Sequence, residues 1–316
     1  MLSTTATSRA QQAEGTIGIG LVDAPTNRAD DPRAKLYIVD HLAPGTTITR
    51  RVKVSNDTDQ TQSIDTYAGA ASVEDGQFQF GDAHAVNELT TWTSVDPTTD
   101  TYEAGKSKNV RVTIAVPDDA SEGERYAVIW ASTSTAAPQG GGIGAVNRVG
   151  IRVYLSVGPG GEPASDFEIT GIQAKRTKDG APQVVAIVEN TGGRAIDLSG
   201  ALKLDNGPGG LSAGPFNVTL GTTLEVGGTE PVRVDLDKAL PAGPWDAKLT
   251  LKSGLLERSA NAEITFPKSG SAEIVRPTSS SGRGVIAIAV LVAVAAAIAL
   301  LFYVRRRRDR EETVSE

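Results

Sequence analysis

The sequence predicts an all-β protein: two tandem β-sandwich domains followed by a single C-terminal transmembrane α-helix. Three observations carry the prediction. Before residue 285 the chain is written in short alternating or β-branched runs divided by Gly, Pro, Asn and Asp, with no sustained helical period. One strand–turn–strand order occurs twice. Residues 285–304 then form an unbroken apolar run ahead of an arginine cluster.

In chain order, residues 1–15 (MLSTTATSRAQQAEG) contain no apolar signal core and read as the remnant of an export signal or as disordered chain. The first sandwich is expected over 16–158. Ile48-Thr49-Arg50-Arg51-Val52-Lys53-Val54, Val110-Arg111-Val112-Thr113-Ile114 and Ile151-Arg152-Val153-Tyr154-Leu155 alternate apolar and polar, as half-buried strands do. Asn56-Asp57-Thr58-Asp59 and Asn190-Thr191-Gly192-Gly193 are turn clusters between such runs. Gly158-Pro159-Gly160-Gly161-Glu162-Pro163 reads as a linker whose prolines limit bending, and the second sandwich follows over 164–268.

The repeat supports that division. Residues 102–114 (YEAGKSKNVRVTI) and 224–236 (LEVGGTEPVRVDL) share Glu, Gly, Val, Arg and Val in register. Each is followed by a Pro, a Gly and an aromatic that opens a strand: Pro117, Gly123 and Tyr126 in one copy, Pro241, Gly243 and Trp245 in the other. Upstream, Val52–Asn56 matches Ala186–Asn190, a strand ending in an Asn turn. Trp130 shares strand parity with Tyr126, so it and Trp245 are expected in the cores.

Residues 269–284 are polar and Ser-rich, too poor in apolar groups for a core, and read as a stalk. Residues 285–304 (VIAIAVLVAVAAAIALLFYV) carry no charge, Pro, Gly or Asn, and as a helix reach roughly 30 Å, the thickness of a bilayer's hydrocarbon core. Arg305, Arg306, Arg307 and Arg308 open the tail, 305–316, and the positive-inside rule keeps them cytoplasmic. The expected location is therefore the cytoplasmic membrane, single-pass, with the N-terminal domains outside. Leu240-Pro241-Ala242-Gly243 is too far upstream, and lacks the Thr, to serve as a sortase signal.

Composition removes many functions. The chain has no Cys and two His, so thiol chemistry, zinc ribbons and histidine metal clusters are not expected. The formal net charge of -7 lacks the basic footprint of a nucleic-acid binder. The glycines at 140–144 lack the Gly-Lys-Ser/Thr and the helix of a phosphate loop. Asp57 with Asp59, and Asp118 and Asp119 with Glu122 and Glu124, have the oxygen ligands for calcium but not the spacing of a calcium loop. His41 precedes a Pro-Gly turn and reads as a surface or packing residue. Asn56 and Asn217 open Asn-x-Thr triplets, to which no glycan is assigned in a bacterial setting. Trp92, in the Thr-rich stretch ELTTWTSVDPTTD, is the tryptophan expected to be free for ligand contact. No catalytic, cofactor or metal residue is assigned.

Tyr37-Ile38-Val39 with Leu42-Ala43-Pro44-Gly45, then TITRRVKVSNDTDQTQSI, Ala70-Ala71 and Gly76, together with YEAGKSKNVRVTIAVPDDASEGERYAVI and VGIRVYLSVG, resembles the first domain of the WxL-interacting protein family. The resemblance covers about 16–158 and the order of parts throughout. It implies immunoglobulin-like sandwiches, an export signal, one anchor helix and peptidoglycan contact by the first domain. The family's F-x-V-x-P opening is replaced here by Ile17–Pro25, and its second domain is matched by order alone. The expected function is a non-enzymatic, membrane-anchored surface protein that displays two domains to peptidoglycan or a wall-associated protein. The alternatives are a membrane-bound wall hydrolase, marked by converging carboxylates in a cleft, and a strand-donating extracytoplasmic chaperone, marked by a long free edge strand.

Overall fold

The structure, a computed structural model, describes residues 16–25, 28, 30–135, 145–218 and 221–279. The expected membrane helix at 285–304, its arginines, the tail and residues 1–15 lie outside the described residues. Among the described residues no helix is long and apolar enough to cross a membrane.

The first sandwich contains β1 (Ile17–Leu21), α1 (Pro32–Leu36), β2 (Ile38–Leu42), β3 (Thr47–Asn56), β4 (Gln62–Glu74) and β5 (Gln77–Phe80). It continues with α2 (Glu88–Thr91), β6 (Thr93–Asp96), β7 (Thr99–Tyr102), β8 (Ser107–Ala115), β9 (Gly123–Thr135) and β10 (Ala145–Val157). One sheet runs β1-β3-β8-β6; the other runs β2-β10-β9-β4-β5, with β7 on the opening of β4. β2 pairs parallel with β10 and every other pair is antiparallel. That is the strand order of an immunoglobulin-like sandwich. The expected alternation holds: Val52, Val54, Val110, Val112 and Ile114 face Ile129, Ile151, Val153 and Leu155 across the core.

The second sandwich contains β11 (Glu168–Arg176), β12 (Pro182–Glu189), β13 (Ile196–Asp197), β14 (Ser199–Gly207), β15 (Leu211–Asn217) and β16 (Thr223–Leu224). After these come β17 (Thr229–Asp235), β18 (Gly243–Ser253), β19 (Leu256–Phe266) and β20 (Thr278–Ser279). Its sheets are β11-β12-β17 and β15-β14-β18-β19-β20, with β13 and β16 as a small pair between domains. Trp245 fills its centre at 1% exposure, so close to Gly207 that an added Cβ would fall 2.3 Å from the ring.

The weak sequence repeat has a physical basis in two asparagines. Asn56 Nδ2 donates to Gln60 O, Tyr102 O and Glu103 O, and its Oδ1 accepts from Thr58 N. Asn190 Nδ2 donates to Arg194 O, Leu224 O and Glu225 O, and its Oδ1 accepts from Gly192 N. Each side chain ties a strand end to the opening of the repeated segment, and each is almost fully buried.

Two expectations are corrected. Counted from Gly123 and Gly243, Ala127 and Ala247 face inward, whereas Tyr126 and Trp245 stand one position apart. A one-residue offset changes the face, so Tyr126, Val128 and Trp130 lie on the outer side of their sheet, in a separate cluster. The expected stalk, 269–284, is also built into the fold as far as residue 279. Val275 bridges Ile172, Ser271 bridges Lys175, and β20 pairs with β19, closing the open side of the second sandwich through its backbone.

Candidate functional site

The outer face of β9 and β10 carries aromatic rings where a solvent-facing strand would carry polar groups. Tyr154 meets Tyr37, Phe78 and Tyr126 at centroid distances of 5.8, 5.2 and 5.9 Å. Ala195 of the second domain is buried in the same cluster. The domains therefore meet on this face.

Charged groups organise the junction. α1 begins at Asp31, whose side chain caps Arg33 N, with Pro32 in the first turn. This places Arg33 over the Tyr154 ring at 4.2 Å. Its Nε donates to Asp197 Oδ2 at 2.7 Å and its Nη1 to Ala195 O at 2.7 Å. Asp197 Oδ1 accepts from Arg152 Nη1 at 3.2 Å, Tyr154 Oη at 2.8 Å and Thr223 Oγ1 at 2.7 Å. Burial presses the Arg33 pKa down, but Asp197 and Tyr154 more than offset it, leaving it raised. Burial, with Asp197 next, raises the Tyr154 hydroxyl. Glu124 Oε2 accepts from Ala195 N at 2.6 Å and Tyr126 Oη at 2.9 Å, and its carboxyl is raised, chiefly by burial. A cavity of about 460 Å³ opens beside Arg33, Arg152 and Asp197.

Beyond the junction the same face reaches an open edge. β10 pairs with β9 along its whole length, but its other side pairs with β2 only over Val153–Val157. Among the described residues no strand pairs with the outer side of Val146–Arg152. The other edges are shorter or interrupted: β1 and β2 have five residues each, Pro215 breaks β15, Pro231 breaks β17, and residues 271–275 bridge β11. Beside the open edge, Trp130 spans Gly69 and Gly150, either of which would clash with it if it gained a Cβ. Arg148 lies 5.1 Å over the Trp130 ring and half-exposed Phe80 packs at its edge.

Trp92 is half-buried against the first core, with the Arg125 guanidinium 4.8 Å over its ring. Arg305, Arg306, Arg307 and Arg308 lie outside the described residues. Of the acids weighed for calcium, Glu124 is turned into the domain junction and Asp57 accepts from Ser55. Among the described residues no group of three or more His, Asp or Glu is placed to hold a metal. Sequence reasoning missed Arg33 and Asp197, and weighed Glu124 only as a calcium ligand. The available signal was the aromatic residue on the polar parity of Ile151–Leu155.

No family profile and no curated protein matches the chain. Among solved structures it is similar to the Salmonella enterica SafA pilin in complex with the SafB chaperone, at 10% identity over 83% of this chain and 96% of that one, TM-score 0.43. It is also similar to the YadV chaperone, at 10% identity over 78% and 98% of the two chains, TM-score 0.42. The E. coli chaperone DraB aligns at 12% identity over 83% and 98%, TM-score 0.40.

Proposed function

We propose that this is a non-enzymatic, extracytoplasmic protein-binding module that takes a partner's extended segment as an added strand on β10. The supporting observation is the open edge from Val146 to Arg152, the longest Pro-free run among the described strands that nothing pairs or bridges on one side. Such an edge offers a row of unmet N–H and C=O groups, which a partner strand satisfies. The polarity of the apolar segment and the four arginines supports anchoring in the cytoplasmic membrane with both domains outside. The resemblance of residues 16–158 to WxL-interacting proteins supports a partner at the cell wall.

Amide hydrogen exchange on the full-length chain tests the reading, with an alternating Thr-Val heptapeptide as the strand probe and insoluble peptidoglycan as a separate arm. Added protection within Val146–Arg152, and none on β19, is the expected result with the peptide. Protection on other edges, or nowhere, refutes strand addition at β10. Peptidoglycan retention without protection there assigns the wall contact to another face.

A further inference from the structure

We propose that the cavity beneath the interdomain linker binds a small oxyanion, one presenting carboxylate or phosphate oxygens. The cavity measures about 500 Å³ and is lined by Arg28, Asp40, His41, Arg50 and Glu162, among others. Two of these side chains hold buried nitrogens without a hydrogen-bond partner: Arg28 Nη1 and His41 Nε2. The Arg28 side chain is only 8% exposed, and burial lowers its pKa from the ordinary guanidinium value.

The chemistry of the orphaned atoms selects the ligand. His41 Nδ1 lies 3.2 Å from Ser156 Oγ. When the hydroxyl donates to Nδ1, the ring proton sits on Nε2 and both orphans are donors. The lining carboxylates are already engaged. Asp40 accepts from Arg50 Nε at 3.2 Å and Nη2 at 2.5 Å, and Glu162 accepts from Arg28 Nε at 3.1 Å and pairs with Arg194. In that tautomer a group offering only acceptors satisfies both nitrogens. A cation or an amine satisfies neither and faces the Arg28 charge.

The two histidines of the chain provide the assay. His84 stacks on Tyr67 at 3.8 Å and serves as the internal control. The full-length chain, labelled with ¹⁵N-histidine, is titrated separately with acetate and with inorganic phosphate, ionic strength being held by chloride. A saturable shift of the His41 ring signal, a still His84, and at least about tenfold weaker binding in Arg28→Gln are expected; that loss corresponds to one charge-assisted hydrogen bond. Whether acetate or phosphate saturates assigns the class. A non-saturating shift, equal movement of both rings, or unchanged titration in folded Arg28→Gln overturns the site. Should Arg28→Gln not fold, His41→Gln is read instead: the same anion raises the parent's Tm and leaves this variant's unmoved. An equal rise in both overturns the site.

Discussion

Replacing Asp197 with Ala should separate the two domains energetically. Its carboxylate accepts from Arg33, Arg152, Tyr154 and Thr223. Three of those donors belong to the first sandwich, while Thr223 shares the second sandwich with Asp197 itself. The substitution leaves the Arg33 side chain, 6% exposed, with Ala195 O as the one remaining acceptor among these contacts. Stranding one member of a buried pair costs about 3–5 kcal/mol. Water reaches Asp197 and Arg152, whose side chains are 20% and 23% exposed, so the lower end, about 3 kcal/mol, applies. Urea unfolding of the full-length chain reads the effect, with Trp92 and Trp130 reporting the first domain and Trp245 the second. The parent should show coupled transitions, and D197A should resolve them into two. In the double variant with Arg33→Met, part of the loss should return, because the stranded charge is gone. A loss under about 1 kcal/mol in D197A, with transitions still coupled, refutes the assignment of Asp197 as the junction's keystone.

Two further outcomes follow from neighbouring groups. The folded-state pKa of Glu124 is raised above its unfolded value, so this residue favours folding at low pH and becomes a penalty as pH rises through the raised value. The parent should therefore lose stability relative to Glu124→Gln between about pH 4 and neutrality; denaturation midpoints that stay parallel across that range would show that Glu124 is not the group responsible. Asn190→Ala removes the donor to Arg194 O, Leu224 O and Glu225 O. Two carbonyls left buried should cost about 3 kcal/mol by chemical denaturation, and Asn56→Ala should cost a similar amount in the first domain. A loss within about 0.5 kcal/mol at either position would mean that water replaces the side chain.

The alternation of Ile48–Val54, Val110–Ile114 and Ile151–Leu155 made the strands of the first sandwich legible, because one face of each is buried and the period is two. The asparagine pair was legible as the end of a repeated strand, although its bonds to Tyr102 O and Leu224 O were not. Asp197 was not legible at all. It is one of 38 acids, its partners on the first domain lie far away in sequence, and no local pattern marks a carboxylate that will meet two arginines. The pairing of residues 271–279 was hidden for a different reason. It is made by backbone bridges, to which a Ser-rich composition is indifferent.

The aromatic residues misassigned to the core are what connect the junction to the open edge. On β9 and β10, Ala127, Ile129, Ile151 and Val153 already fill the interior, so Tyr126, Trp130 and Tyr154 on the opposite parity require a second cover. The second domain covers part of that face, through Ala195, and its reach to Arg152 ends in the hydrogen bond that Arg152 Nη1 donates to Asp197. Farther along, Phe80 and Arg148 pack on Trp130, with Phe80 50% exposed. The run Val146–Arg152, whose outer side no strand pairs among the described residues, lies in the strand alongside. An added strand there would meet unmet backbone groups and an apolar flank together, whereas the interrupted edges of β15 and β17 offer no continuous ladder.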